Sequence, residues 1–194
     1  MSRLPAILTV LLLAATRGGL AADLDILREA RWGMDAEALD EALGGADEPL
    51  PGRWDFGRYY AERIVEDVDV AGHRFRAFLQ MDKATGRLGQ ILLERRGREA
   101  TPMVFEDIAD ALTEQFGQPD ESGPDGNKAV PTSVRLVWHL PDLTINASFF
   151  DFYTTGMFFE DPNTDRNPLV PYAERRRNNP RFLPRRALIR FGPP

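Results

Sequence analysis

The sequence predicts an α+β fold: two helix-plus-three-stranded antiparallel meander units packed as one domain, with an extended Pro/Arg-rich C-terminal arm. Three observations predict it. Two amphipathic stretches carry capping residues and stop on glycine, as helices do. Each is followed by runs with the two-residue period of strands. Beyond residue 161 proline recurs too often for regular structure, at 162, 168, 171, 180, 184, 193 and 194.

The chain opens with Arg3, an apolar run over residues 4–15, and Gly19-Leu20-Ala21-Ala22 before Asp23. A positive start, a short apolar core and small residues at the end are the layout of a signal peptide, expected over residues 1–22 and cut after Ala21 or Ala22. The core falls short of the roughly 20 apolar residues that span a bilayer. The expected location is therefore periplasmic, or secreted, after cleavage. What remains, about 170 residues, suits one domain or two small units sharing a core.

The first helix is expected over residues 35–43. Asp35 can cap it, Leu39 and Leu43 lie one turn apart on one face, and Gly44-Gly45 can end it. Residues 47–55, with Pro49, Pro51 and Gly52, read as a connecting loop. Val68 and Val70 begin the strand period. Phe75, Ala77, Leu79 and Met81 continue it after Ala71-Gly72, and residues 88–94 return as a third strand after a turn at 82–86. Gly86 can take the left-handed conformation that closes that turn, and Gly89 marks a bulge or a weak point.

Thr101 as cap and Pro102 at the first helical position open the second helix. Val104, Ile108, Leu112 and Phe116 share its apolar face, and Gly117 and Pro119 close it. Residues 119–131 read as a surface loop. Val134, Leu136, Trp138 and Leu140 then alternate with polar neighbours, Pro141-Asp142 turns the chain, and Ile145, Ala147 and Phe149 alternate back toward a third strand at 157–160. The expected organisation is a domain over 23–165, with tandem units 30–97 and 98–162, and a basic tail over 166–194. The six residues 39–44 align with 112–117 through a leucine, an acid and the stop glycine, which a true duplication or a shared helix-end pattern would both produce.

Residues 31–44, Arg-Trp-Gly-Met-Asp-Ala-Glu-Ala-Leu-Asp-Glu-Ala-Leu-Gly, resemble the opening of small exported bacterial domains. These are the outer-membrane assembly lipoproteins of the SmpA/OmlA type and the repeats of beta-lactamase inhibitory proteins. The resemblance implies helices packed on an antiparallel sheet and a role in binding other proteins. The chain departs from the lipoproteins in having no cysteine to carry a lipid, and from both families in its arginine-rich tail.

The lack of cysteine also excludes disulfides, thiolate metal sites and cysteine nucleophiles. The net charge of -6 is segregated: residues 23–165 carry 14 Lys/Arg against 29 Asp/Glu, and residues 166–194 carry 8 Arg against Glu174 alone. An acidic body will draw a basic arm onto itself, and the same arginines could meet an anionic membrane surface. Export argues against nucleic acid as partner. The expected partner is another envelope protein, and no transmembrane anchor is expected in the mature chain.

No catalytic, cofactor-binding or metal-ligating set emerges. Residues 161–167 space oxygen donors as a calcium loop does, but Arg166 stands where glycine is required and Tyr172 where a bidentate glutamate is required, and Asx-turns explain the same residues. His73 and His139 are the only histidines, and each reads as an ordinary turn or strand residue. The candidate interaction surface is the aromatic Phe150, Phe152 and Tyr153 with the arginine run Arg175, Arg176 and Arg177. Phe150 points away from the face of Ile145 and Phe149, so that second face is either covered or exposed for binding. The expected function is non-catalytic binding in the envelope. An apolar-ligand carrier or a carboxylate-based hydrolase is the alternative, and the two diverge on whether Leu39, Leu43, Ile108, Leu112 and Phe116 fill the sheet face or leave a pocket.

Overall fold

The computed structural model describes residues 24–96, 99–124, 133–151, 159–160, 182–183 and 185–194. Three helices, α1 (Ile26–Glu29), α2 (Ala36–Leu43) and α3 (Pro102–Phe116), pack on an antiparallel sheet. Its strands are β1 (Glu48–Phe56), β2 (Tyr59–Val70), β3 (His73–Asp82), β4 (Leu88–Arg96), β5 (Glu121–Gly123), β6 (Ser133–Leu140), β7 (Leu143–Asp151) and β10 (Arg185–Gly192). Two short strands, β8 (Phe159–Glu160) and β9 (Phe182–Leu183), pair separately. The chain is thus mostly β with some helix, on one eight-stranded sheet ordered β1-β2-β3-β4-β10-β7-β6-β5.

Both principal helices form for the reasons legible in sequence. The Asp35 side chain accepts a hydrogen bond from the Ala38 amide at 3.1 Å, and Gly44 ends α2 with φ 58. The Thr101 hydroxyl accepts from the Val104 amide at 3.2 Å, with Pro102 opening α3 where its missing N–H is not needed. Arg63 of β2 bridges Asp40 of α2, at 2.9 Å, and the buried carboxylate of Asp47, fixing the helix end against the sheet.

Four expectations are corrected. Residues 47–55 are not a connecting loop but most of β1. Its prolines are tolerated because an edge strand pairs on one side only, and its register with β2 shifts between Pro49 and Trp54. Trp54 and Phe56 give that strand a reason to pack, their ring centres lying 5.4 and 5.3 Å from that of Phe78. Within 119–131, residues 121–123 form the edge strand β5, and the stretch from 125 onward lies outside the described residues. The first meander therefore has four strands rather than three.

The largest correction concerns the arm. Residues 185–192 are a strand at the centre of the sheet, so the domain does not stop at residue 165. β10 lies between β4 and β7, with Ile189 opposite Leu93 on one side and Ala147 on the other. The prolines that argue against regular structure bracket it, at 184 and 193, without entering it. Ala187, Leu188, Ile189 and Phe191 are all buried. Burying the three large ones contributes about 5–9 kcal/mol, which is of the order of a whole domain's stability. Two of the tail's arginines meet acids of the body, Arg185 donating to Asp151 at 2.9 Å and Arg186 to Glu94 at 2.7 Å.

The sheet carries two apolar clusters. On the helix side, Leu39 and Leu43 of α2 and Val104, Phe105, Ile108 and Leu112 of α3 meet Phe75, Ala77, Leu79, Ile91, Leu93, Ala147, Phe149, Ile189 and Phe191, with Phe116 partly buried at the margin. On the other side Ala61, Ile64, Phe78, Leu92 and Leu188 form a smaller cluster under Leu50, Trp54, Phe56 and Phe150. That second face is also polar where it crosses β4. The Glu94 side chain is wholly buried beside Arg186, and Gln90 donates to Gln80 at 2.8 Å.

Tight turns fix how each hairpin lies against its neighbours. Ala71 and Gly72 have φ 57 and 76, the pair of positive values that a two-residue hairpin turn needs to match strand twist. Gly86 closes the β3–β4 turn with φ 66, where Asp82 accepts from the Ala84 amide at 2.8 Å. Gly89 is the extra residue of a bulge, since Gln80 faces Gln90 while Met81 faces Leu88. A Cβ there would lie 2.8 Å from the Tyr59 ring, so glycine permits that close approach.

Candidate functional site

The side chains that converge on open space lie where the β2–β3 turn approaches α3. The turn holds His73 at the start of β3, and α3 presents Asp107, Asp110 and Glu114 at spacings of three and four, hence along one exposed stripe. The opposite stripe of the same helix is buried, so packing fixes which way the acids point. Together with Ala71, Gly72 and Ala111 they line a groove of about 440 Å³. His73 Nε2 lies 2.9 Å from Asp107 Oδ2, which orients the imidazole at the groove wall.

This arrangement favours a cationic group. Three carboxylates face one histidine, and an ammonium or guanidinium ion entering the groove would meet carboxylate acceptors along the α3 wall. The His73–Asp107 pair has no serine, threonine or lysine among the groove residues to activate. Among the described residues no group of three or more His, Asp or Glu side chains is placed to hold a metal ion.

A second charged cluster joins the β1–β2 and β3–β4 turns. Arg58 donates to Asp82 at 2.6 Å and Lys83 to Asp55 at 2.5 Å. These hydrogen bonds hold both carboxyls below their ordinary range, with backbone amides of Gly57 and Ala84 adding to the effect. The Arg53 guanidinium stacks 3.4 Å from the centre of the Tyr60 ring. These contacts tie two hairpins together and leave the cations engaged.

Of the residues expected as an interaction surface, the structure places Phe150. It lies on β7 opposite Arg186 and Ser133 and packs, half-buried, on the second apolar cluster. Phe152, Tyr153, Arg175, Arg176 and Arg177 lie outside the described residues, as does the calcium-like stretch from 161. The two histidines do not form one site: His139 faces Glu121 of the edge strand at 3.4 Å, while His73 faces Asp107. The groove itself is not legible in the sequence. The acids of α3 stand out as its polar face, but nothing in the residue order says that the Ala71-Gly72 turn lies against that face.

No protein-family model, curated protein or solved structure matches the chain.

Proposed function

We propose that this is an exported, non-catalytic binding protein of the bacterial envelope. The observation that supports it most is the fate of the helix faces. Leu39, Leu43, Ile108 and Leu112 are buried against the sheet, and Phe116 packs at its margin. A carrier of apolar ligands needs an apolar cavity, and that space is filled with side chains. A carboxylate hydrolase acting beside the phenylalanine cluster needs two acids converging there. Asp151, the acid nearest in sequence to the phenylalanine cluster, is instead paired with Arg185. The leader-like residues 1–22 support export, and the resemblance of residues 31–44 to families that work by binding proteins supports the role.

The finer architecture belongs to the same reading. The strand order mirrors itself across the contact of β4 with β10: α2 precedes β1-β2-β3-β4, and α3 precedes β5-β6-β7-β10. Two helix-plus-four-strand units, the second completed by residues 185–192, are the duplication we infer. Each unit then offers one helix-side and one sheet-side surface to a partner.

The test is capture of partners from an envelope extract by the mature protein, beside a variant with Arg175, Arg176 and Arg177 changed to serine. Deleting residues 166–194 is unsuitable, because it removes β10. The reading predicts a partner enriched over an unrelated exported control and weakened in the variant. Parallel binding to vesicles containing an anionic phospholipid would assign the arginines to a membrane surface instead. Absence of enrichment together with turnover of a hydrolase substrate would refute the proposal.

A further inference from the structure

We propose that β10 is a folding checkpoint: neither β1–β4 with α2 nor α3 with β5–β7 becomes stable until residues 185–192 pair with both. Within the sheet, β4 and β7 are not neighbours; β10 stands between them, running from Arg186 opposite Arg96 to Phe191 opposite Ile91 on one side, and from Arg185 opposite Asp151 to Gly192 opposite Thr144 on the other. Removing it would leave two long open edges. It would also take Ala187, Ile189 and Phe191 out of the helix-side cluster and Leu188 out of the other, so both cores lose a member at once. Arg186 would no longer meet Glu94, whose carboxylate lies inside the sheet's second face. Without β10 each half ends in an unpaired strand edge and exposes apolar side chains that the complete sheet buries, so neither half keeps the burial that stabilises it.

The pairing is also the most distant in the sheet. The β2–β3 and β3–β4 hairpins close over short turns, whereas β10 reaches back to β4 across about 90 residues, the kind of contact whose closure entropy slows folding. The mechanism stands on the sheet alone; its purpose rests on the exported reading. A chain addressed at residues 1–22 and completed only at 185–192 stays unfolded while it is being routed, which is the form that threads through a membrane channel.

The test is refolding of the mature chain from denaturant with pulsed hydrogen exchange. Amides of β3 and β4 are expected to gain protection in the same kinetic phase as those of residues 187–191. Protection of β3 and β4 in an earlier phase, with β10 still open, would overturn the proposal. A second measurement uses Ile189→Val, a change small enough to leave the chain folded. It is expected to slow folding about five-fold with little effect on unfolding, because the strand is already paired in the transition state. Faster unfolding with unchanged folding would overturn it. Neither readout depends on export. Retention in the cytoplasm of a reporter fused to residues 1–22 would refute the exported reading and leave the checkpoint standing.

Discussion

Changing Arg186 to alanine tests the placement of β10 most directly. In the folded chain Arg186 donates to Glu94 at 2.7 Å, with the Glu94 side chain 0% exposed and that of Arg186 12% exposed. Two charges in such a place attract strongly, but both were stripped of water to get there, so the net value of the pair is small while the cost of breaking it is large. Removing the guanidinium strands the carboxylate and is expected to cost about 3–5 kcal/mol. At roughly 2–4 °C per kcal/mol for a domain of this size, the thermal midpoint should fall by about 10 °C. The reverse change, Glu94→Gln, keeps the shape and removes the charge, and should cost less. Replacing both by apolar residues, Glu94→Leu with Arg186→Met, should recover most of the loss, because neither charge then needs a partner. The assay is urea unfolding of Glu94→Leu, Arg186→Met and their double, read as a double-mutant cycle, with Arg186→Ala and Glu94→Gln measured beside them. If Arg186→Ala costs under about 1 kcal/mol, the value of an exposed pair, the residue is not inside the sheet and the reasoning fails.

Three further outcomes rest on geometry. Gly89→Ala places a methyl group 2.8 Å from the Tyr59 ring and should cost about 1–3 kcal/mol by urea unfolding, less in a Tyr59→Ala background where the ring is gone. Thr101→Ala removes the side chain that caps α3 and should cost about 1 kcal/mol, visible as faster amide exchange in the first turn of that helix. Asp55 and Asp82 are held below the ordinary carboxylate range by Lys83 and Arg58, so they bind protons less readily folded than unfolded. Their stabilisation is present in full above the unfolded value, near 3.9, and is lost as pH falls below it through the folded values. The thermal midpoint of the Asp82→Asn variant should therefore fall less than that of the parent between pH 5 and pH 2.

What the sequence makes legible is local. Asp35, Gly44, Thr101, Pro102 and Gly117 mark their helix ends through contacts within a few residues, and Gly86 does the same for its turn. The strand period of Phe75, Ala77, Leu79 and Met81 places one sheet face on the helices, and that of Ile145, Ala147 and Phe149 does so again. What escapes depends on distant partners. Pro49 and Pro51 argue for a loop unless Phe78 is known to wait for Trp54 and Phe56. The alternation of Ala187, Ile189 and Phe191 is present in the tail, yet its value depends on an open place between β4 and β7 that no local pattern reveals. Surrounding arginines and prolines hide a strand that is buried on both faces. The groove is hidden for the same reason, since Asp107 and His73 meet through tertiary packing.

The two outer strands bear on how the protein can be recognised. β1 opens with two prolines and an irregular register, and β5 is three residues long, so neither offers a regular ladder of free N–H and C=O groups. A peptide that binds by lengthening a sheet would find its natural docking positions blunted at both margins, while the position in the middle is taken by the chain itself. Under the proposed binding role, recognition falls to side chains of helix faces and turns. Under that same proposal, specificity is expected to change with surface substitutions that leave the described strand pairings intact.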